Sequence, residues 1–421
     1  MAVAGVPARH RALPQLCGVD GSAGLPGVQD GAELSQASRL FALGRHAEAR
    51  RVISRVFEGA AQDDVTATSC AAASLEGFID LSQGRLSSAW TRLLLSGQHL
   101  PVLRSLVLYE RDELDAAWPV LLINLPTVIA GDCPDALIVT CVLLSRIALS
   151  RGDPVASRRY LARLDHTAEA RGCPRMRCSV WIERARVATL EGRLEAAAQA
   201  LLHVGRFADW ERAGMLYYSN DVDTPAIANL RLLIARGRCS EALALLPAAI
   251  NDASRRGHLR RALKLRLLHA MALDGSGAQD SAFDELTRVL KVAALEGWRG
   301  TFLEEGSALA WLVQRWARAC RMRIGALGID AGFLNDLLKR LVVDDVHPRA
   351  SQPPLRETLT GREREILGLL GEGGPMRGIA HRLQLSEHTV KTHLRNIYRK
   401  LGAHGQAQAS AIARARGLLD A

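Results

Sequence analysis

Ser386–Gly402, SEHTVKTHLRNIYRKLG, decides how the C-terminal part of this chain is read. At a helical turn of 100° per residue, Val390, Leu394, Ile397 and Leu401 fall on one side. His388, Thr392, Arg395, Asn396 and Arg399 lie on the far side, with Lys391 at its edge. One face suits a small core, while the other presents hydrogen-bond donors and positive charge. A helix lying in the major groove of DNA has those two requirements. Taken alone, an amphipathic basic helix is an ordinary solvated surface helix, so the flanking sequence has to decide.

Upstream, Thr360 and Glu363 form a capping-box pattern in which each side chain reaches the other's amide. Ile366, Leu367 and Leu370 then supply an apolar helical stripe. The run Gly371–Pro375 (GEGGP) ends that helix, and Pro375 suits the first turn of the next one. This next helix is short, with Ile379, Ala380 and Leu383 inward. A turn at Gln384–Leu385 leads to Ser386, a good N-cap for the basic helix. An Ala-rich fourth helix is predicted from about Gln406 to Arg416, stopped at Gly417. The result is a four-helix helix-turn-helix unit.

Residues Leu359-Thr360, Arg362-Glu363, Glu365-Ile366-Leu367, Ile379-Ala380, Leu385-Ser386-Glu387, Thr389-Val390-Lys391, His393-Leu394, Asn396-Ile397-Tyr398 and Lys400-Leu401-Gly402 resemble the LuxR-type (GerE-like) DNA-binding domain of bacterial transcription regulators. The resemblance implies that Lys391, Thr392 and Arg395 face the bases, with His388 in reach of DNA. It also implies that Thr389, Asn396, Arg399 and Lys400 lie near phosphates. The chain departs from the family pattern at Pro375, Gly378 and Gln406. Domains of this type bind as homodimers through the last helix, here around Gln408, Ala411 and Ala415. Charge distribution agrees: from Leu355 onward 11 Lys/Arg face 6 Asp/Glu, so half of the chain's net charge of +10 sits in its last 67 residues. A concentrated basic excess is the electrostatic footprint that phosphate binding demands.

The remainder is a different kind of sequence. With 421 residues and 48% hydrophobic content, the chain can bury large cores. Residues 1–31 are rich in Gly, Ala and Pro without periodicity and read as a flexible leader lacking the apolar run of a signal peptide. The most apolar stretch, Ala116–Ala130, is too short to span a membrane and is interrupted by Pro119, Asn124 and Pro126. The chain therefore reads as cytoplasmic, and nucleoid-associated when bound to DNA. Its 8 cysteines are scattered without a CxxC and read as reduced thiols, with neither a zinc site nor a disulfide at the nearest pair, Cys173 and Cys178.

Between residues 32 and 320 a period emerges. A turn residue is followed five positions later by a small residue: Gly44/Ala49, Gly84/Ala89, Asp112/Ala117, Gly152/Ser157, Gly192/Ala197, Gly237/Ala242 and Gly277/Ala282. Glycine ends one helix, and the small residue lets the next pack closely against it. One hairpin cannot bury its own apolar faces, so such hairpins stack into a superhelix. These segments resemble long, degenerate tetratricopeptide repeats, and together with the C-terminal unit they resemble the sensor region of MalT-type regulators. Glu191–Ala197, Ala235–Ala242 and Gly300–Gly306 (GTFLEEG) carry that resemblance best.

The expected fold class is all-α: a tetratricopeptide-like helical-repeat superhelix over residues 32–343, a proline-rich linker over 344–354, and a four-helix LuxR-type helix-turn-helix domain over 355–421. In the MalT-type family an ATPase domain often precedes the repeats. This chain has no GxxxxGK[ST], so no ATP hydrolysis and no cofactor are expected. No spacing of acid–base, nucleophilic or metal-ligating residues points to catalysis; His388 and His393 project about 140° apart on the helix and cannot share a metal. The seven tryptophans read as packing between helices, and Arg255-Arg256 and Arg260-Arg261 as exposed helix faces. The functional expectation is a bacterial transcription regulator. Its C-terminal domain reads double-stranded promoter DNA, its repeats bind an effector, small molecule or protein, and RNA polymerase is a further partner. The alternative is a helical-repeat interaction scaffold with vestigial DNA binding.

Overall fold

A computed structural model describes residues 28–59, 67–95, 100–205, 216–321, 324–341, 361–371, 376–401, 409 and 413. Among them every regular element is a helix. The repeat region is a series of hairpins: α1 (Val28–Ala42) with α2 (His46–Gly59), α3 (Ala67–Ser82) with α4 (Leu86–Leu95), α5 (Pro101–Glu110) with α6 (Leu114–Ala130), and α7 (Pro134–Ser150) with α8 (Pro154–Ala170). It continues with α9 (Pro174–Leu190) and α10 (Leu194–Val204), α11 (Pro225–Ala235) and α12 (Cys239–Arg255), and α13 (Leu259–Gly275) and α14 (Gln279–Glu296). A four-residue helix α15 (Gly300–Leu303), then α16 (Gly306–Cys320) and α17 (Ala331–Arg340), complete this part. Helix α1 begins inside the stretch expected to be a leader. Residues 1–27 and the expected linker lie outside the described residues.

The periodic turns have the backbone that their sequence requires. Gly44, Gly84, Gly152, Gly192, Gly237 and Gly277 all have φ between 72° and 89°, and Asp112, the one non-glycine of the series, has φ 60°. In each turn two amides bond back to the preceding helix; in the first, Gly44 N donates to Phe41 O at 2.8 Å and Arg45 N to Leu40 O at 2.9 Å. That arrangement satisfies the last carbonyls of the helix. The small residue five positions on is buried every time: Ala49, Ala89, Ala117, Ala197, Ala242 and Ala282 have no exposed surface, and Ser157 is also buried.

Stacking the hairpins curls the array until its ends meet. Leu216 N donates to Ala42 O at 2.7 Å, and Phe78 stacks on Tyr218 with ring centroids 3.7 Å apart. Trp298 Nε1 donates to Gly84 O at 3.3 Å, and Ser87 Oγ donates to Glu296 at 2.7 Å. His46, at the start of α2, packs against His258, just before α13, with ring centroids 5.6 Å apart. Both imidazoles are buried, and neither Nε2 has a hydrogen-bond partner.

Charged side chains, fully buried, fill the centre. Arg146 of α7 donates to Glu183 of α9 at 2.7 Å and to Glu304 at 2.7 Å. Arg186 bonds Glu183 at 2.7 Å and the Glu304 carbonyl at 3.0 Å. Arg231 of α11 grips Glu305 bidentately at 2.9 and 2.7 Å, and Lys264 of α13 bonds Glu305 at 2.6 Å and also Glu304. Burial pushes the Glu183 carboxyl up, but Arg146 and Arg186 reverse this and hold it well below the usual range. Arg231 and Lys264 do the same for Glu305. Arg260, expected on an exposed face, is also buried and paired with Glu110 of α5. The helical period cannot tell an outer face from the inner wall of a superhelix, so that expectation failed. Arg255 and Arg256 are exposed as expected. Trp298 and Trp316 are fully buried, in keeping with packing roles. The described cysteines are all free thiols, and no helix among the described residues is long and apolar enough to cross a membrane.

Two predictions follow from local geometry. A Cβ at Gly152 would meet nothing within 4 Å, yet φ there is 74°; Gly152→Ala should cost about 1–2 kcal/mol from backbone strain alone. Ala197→Leu, at a fully packed turn of the array, should cost about 1–3 kcal/mol by overpacking. Equilibrium chemical denaturation measures both. At the ring closure, burial lowers the pKa of His46 to about 4, helped by Arg50 and Arg85, and that of His258 to about 3, helped by Arg261 and His46. The unfolded chain therefore takes up these protons first. Stability should be full above the ordinary value of 6.5 and fall as pH drops below it, before glutamate carboxyls, ordinarily at 4.5, begin to titrate. His258→Leu should shrink the fall in melting temperature between those two pH values, and the further change His46→Leu should remove the rest.

Candidate nucleic-acid interface

The C-terminal unit is built from α18 (Gly361–Gly371), α19 (Met376–Arg382) and α20 (Glu387–Leu401). Ile366, Leu367 and Leu370 pack with Ile379 and Ala380 and with Val390, Leu394 and Ile397 of α20. Of the expected fourth helix only Ala409 and Ala413 are described; both are helical and fully buried against this core. The turn between α19 and α20 is tight. Gln384 adopts φ 53°, and Leu385 N donates to Ala380 O at 2.9 Å. Ser386 caps α20 as its sequence predicts, accepting from Thr389 N at 3.1 Å and sharing a 2.7 Å hydrogen bond with the Thr389 hydroxyl. Arg362 fastens α18 to the end of α19 through the Leu383 carbonyl at 2.6 Å, and Arg377 meets Glu387 at 3.2 Å.

This scaffold presents Lys391, Thr392 and Arg395 exposed together, one turn apart on the face opposite Val390, Leu394 and Ile397. Asn396 and Thr389 are half-buried at the flanks of that face, and Thr389 is engaged in the cap. The side chains of His388 and Arg399 lie outside the described set. Lys400 corrects the sequence expectation. It is buried, and its Nζ lies 2.9 Å from Glu363 Oε2, so its charge is committed to the domain interior and not to a phosphate. The signal was present in the sequence, since Lys400 stands three residues after the inward Ile397 and turns toward the same side. Glu363, read as half of a capping box, is the buried partner; Thr360 lies outside the described residues.

The fold and this face define a helix-turn-helix unit joined to a helical-repeat array. The family described as MalT-like TPR region matches residues 32–319, and the family of bacterial regulatory proteins, luxR family, matches residues 357–413. The chain belongs to the MalT-like TPR family and carries a luxR-family helix-turn-helix domain at its C-terminal end. It is similar to the HTH-type transcriptional regulator MalT of Cronobacter sakazakii (strain ATCC BAA-894), with 26% identity over 378 residues, covering 77% of this chain. The chain spans 38% of the length of that relative.

Breaking a buried ion pair strands its partner in the interior. Lys400→Ala should therefore destabilise the C-terminal unit by about 3–5 kcal/mol, whereas Lys391→Ala on the exposed face should change stability by no more than about 0.5 kcal/mol. Thermal unfolding of the two variants separates an internal strut from a side chain available to a ligand.

Proposed function

We propose that this chain is a bacterial DNA-binding transcription regulator. The C-terminal domain reads promoter DNA by laying α20 in the major groove, and the repeat superhelix receives an effector. The carrying observation is the exposed Lys391–Thr392–Arg395 face on a helix whose opposite side is core. Two cationic donors and a hydroxyl on one turn match the acceptor-rich edge of guanine and the mixed edges of other bases. Lys391 and Arg395 are the base readers, and Asn396, with Thr389 and Arg399, tracks the phosphates. Lys400 is excluded from this set by its pairing with Glu363. The domain binds as a homodimer on two symmetry-related half-sites, and the expected effect is exerted on RNA polymerase at the promoter. The boundaries proposed for the working parts are 32–343 for the sensor and 355–421 for the reader, joined by 344–354.

Phosphate contacts should dominate affinity, so log K should fall with log salt at a slope of about −0.9 per neutralised phosphate. After selection of a binding sequence, Lys391→Ala or Arg395→Ala should each weaken specific binding by about 1–3 kcal/mol and relax preference at the contacted base. Titration by fluorescence anisotropy measures both. Unchanged affinity and preference in both variants removes them from the reading face. A folded protein that retards no sequence specifically at low salt makes the repeats an interaction scaffold.

A further inference from the structure

The centre of the superhelix is occupied by the chain's own segment Trp298–Gly306, held as a bound peptide would be. Its backbone docks on α5, with Arg299 N donating to Glu110 O at 2.8 Å and Thr301 N donating to the Glu110 carboxylate at 3.0 Å. Phe302 is an apolar anchor with no exposed surface. The adjacent carboxylates of Glu304 and Glu305 meet cations drawn from four hairpins: Arg146, Arg186 (on the Glu304 carbonyl), Arg231 and Lys264. Those cations lie on the first helices of successive hairpins, the surface that lines the inside of the curl. The segment makes only one turn of helix. It is bracketed by Gly297 at φ 86° and Gly306 at φ 73°, two left-handed positions that suit glycine.

We propose that the groove of the superhelix is a receptor for an acidic peptide with an aromatic anchor, filled here by residues 300–306, and that an acidic segment of a partner protein competes with them. This deepens the effector half of the proposed function and rests on it. Buried ion pairs contribute little net stability, because desolvating the charges offsets most of their attraction. A competitor that brings its own two carboxylates to Arg146, Arg231 and Lys264 replaces those side-chain contacts. A competitor without them leaves Arg231 and Lys264 without a carboxylate, while Arg146 and Arg186 keep Glu183; that loss is how the groove discriminates. Because the segment directly precedes α16 and α17, its release frees the stretch of chain that leads toward the helix-turn-helix domain.

The test uses the full chain and a labelled synthetic peptide of sequence WRGTFLEEGS, residues 298–307. In hydrogen–deuterium exchange of the wild type, amides of residues 300–305 should exchange well ahead of those in α7 and α9, and excess peptide should speed them further. Protection equal to that of α7 and α9 would mean the segment leaves only on global unfolding, and overturns the proposal. Gly300→Ala supplies a wedge without altering charge, since the added Cβ would sit 2.7 Å from Tyr109 O and 3.0 Å from Glu110 Cα. By raising the fraction of open groove, it should tighten apparent peptide binding by about tenfold or more. The peptide with both glutamates replaced by glutamine should not bind. Equal binding of that neutral peptide, or displacement of the acidic one by inorganic tripolyphosphate alone, overturns the peptide assignment. If Gly300→Ala does not fold, the wild-type exchange experiment still decides. Specific DNA binding with no peptide binding would sink this proposal and leave the DNA reading intact.

Discussion

The repeat region depends on two adjacent glutamates that meet three cations through their carboxylates and a fourth through a backbone carbonyl. Glu304 and Glu305 connect helices α7, α9, α11 and α13, which span residues 134–275 of the chain. Each isolated charge would be costly inside a protein. The structure tolerates them because they compensate one another in one network, whose geometry forces four hairpins into one curvature. Neutralising one member of such a network leaves the others buried and unpaired. The curvature then brings α1–α4 against α14 and the segment preceding α11, where Ser87 on Glu296 and Phe78 on Tyr218 complete the circuit.

The C-terminal unit solves a smaller problem by a different means. Apolar side chains from three helices, with Ala409 and Ala413 beyond them, form its core, and the pair Glu363–Lys400 ties the first helix to the end of the third. That strut, with the Ser386 cap and the left-handed Gln384, fixes how α20 projects. Lys391, Thr392 and Arg395 owe their common exposure on one face of α20 to this bracing.

What was legible in the sequence was local. The turns of the array were readable from glycine five residues before a small side chain, because left-handed backbone and close helix approach are demands of single positions. Every one of those turns has the predicted geometry. The exposed basic face of α20, opposite its core face, was readable from helical period for the same reason. The inner charges were not: Arg146 meets Glu304 across 158 residues, and no periodicity encodes such a partner. Arg260 was misread as exposed because the inner wall of a superhelix carries polar residues at the same spacing as a solvent face. Lys400 was placed near phosphate on the family resemblance, although its angle on the helix turned it inward to Glu363. The GTFLEEG segment was visible as part of a family resemblance, yet nothing local showed that it fills the groove.

The contact between the first hairpins and the last has a consequence for how the array unfolds. An open solenoid frays from its ends, because each terminal repeat leans on only one neighbour. Here His46 and His258 join the beginning of the array to its end, so no repeat is terminal in that sense. Loss of any hairpin strips cover from two neighbours at once. The array is a ring in its energetics although it is a line in its covalent structure, and it should melt in a single cooperative step.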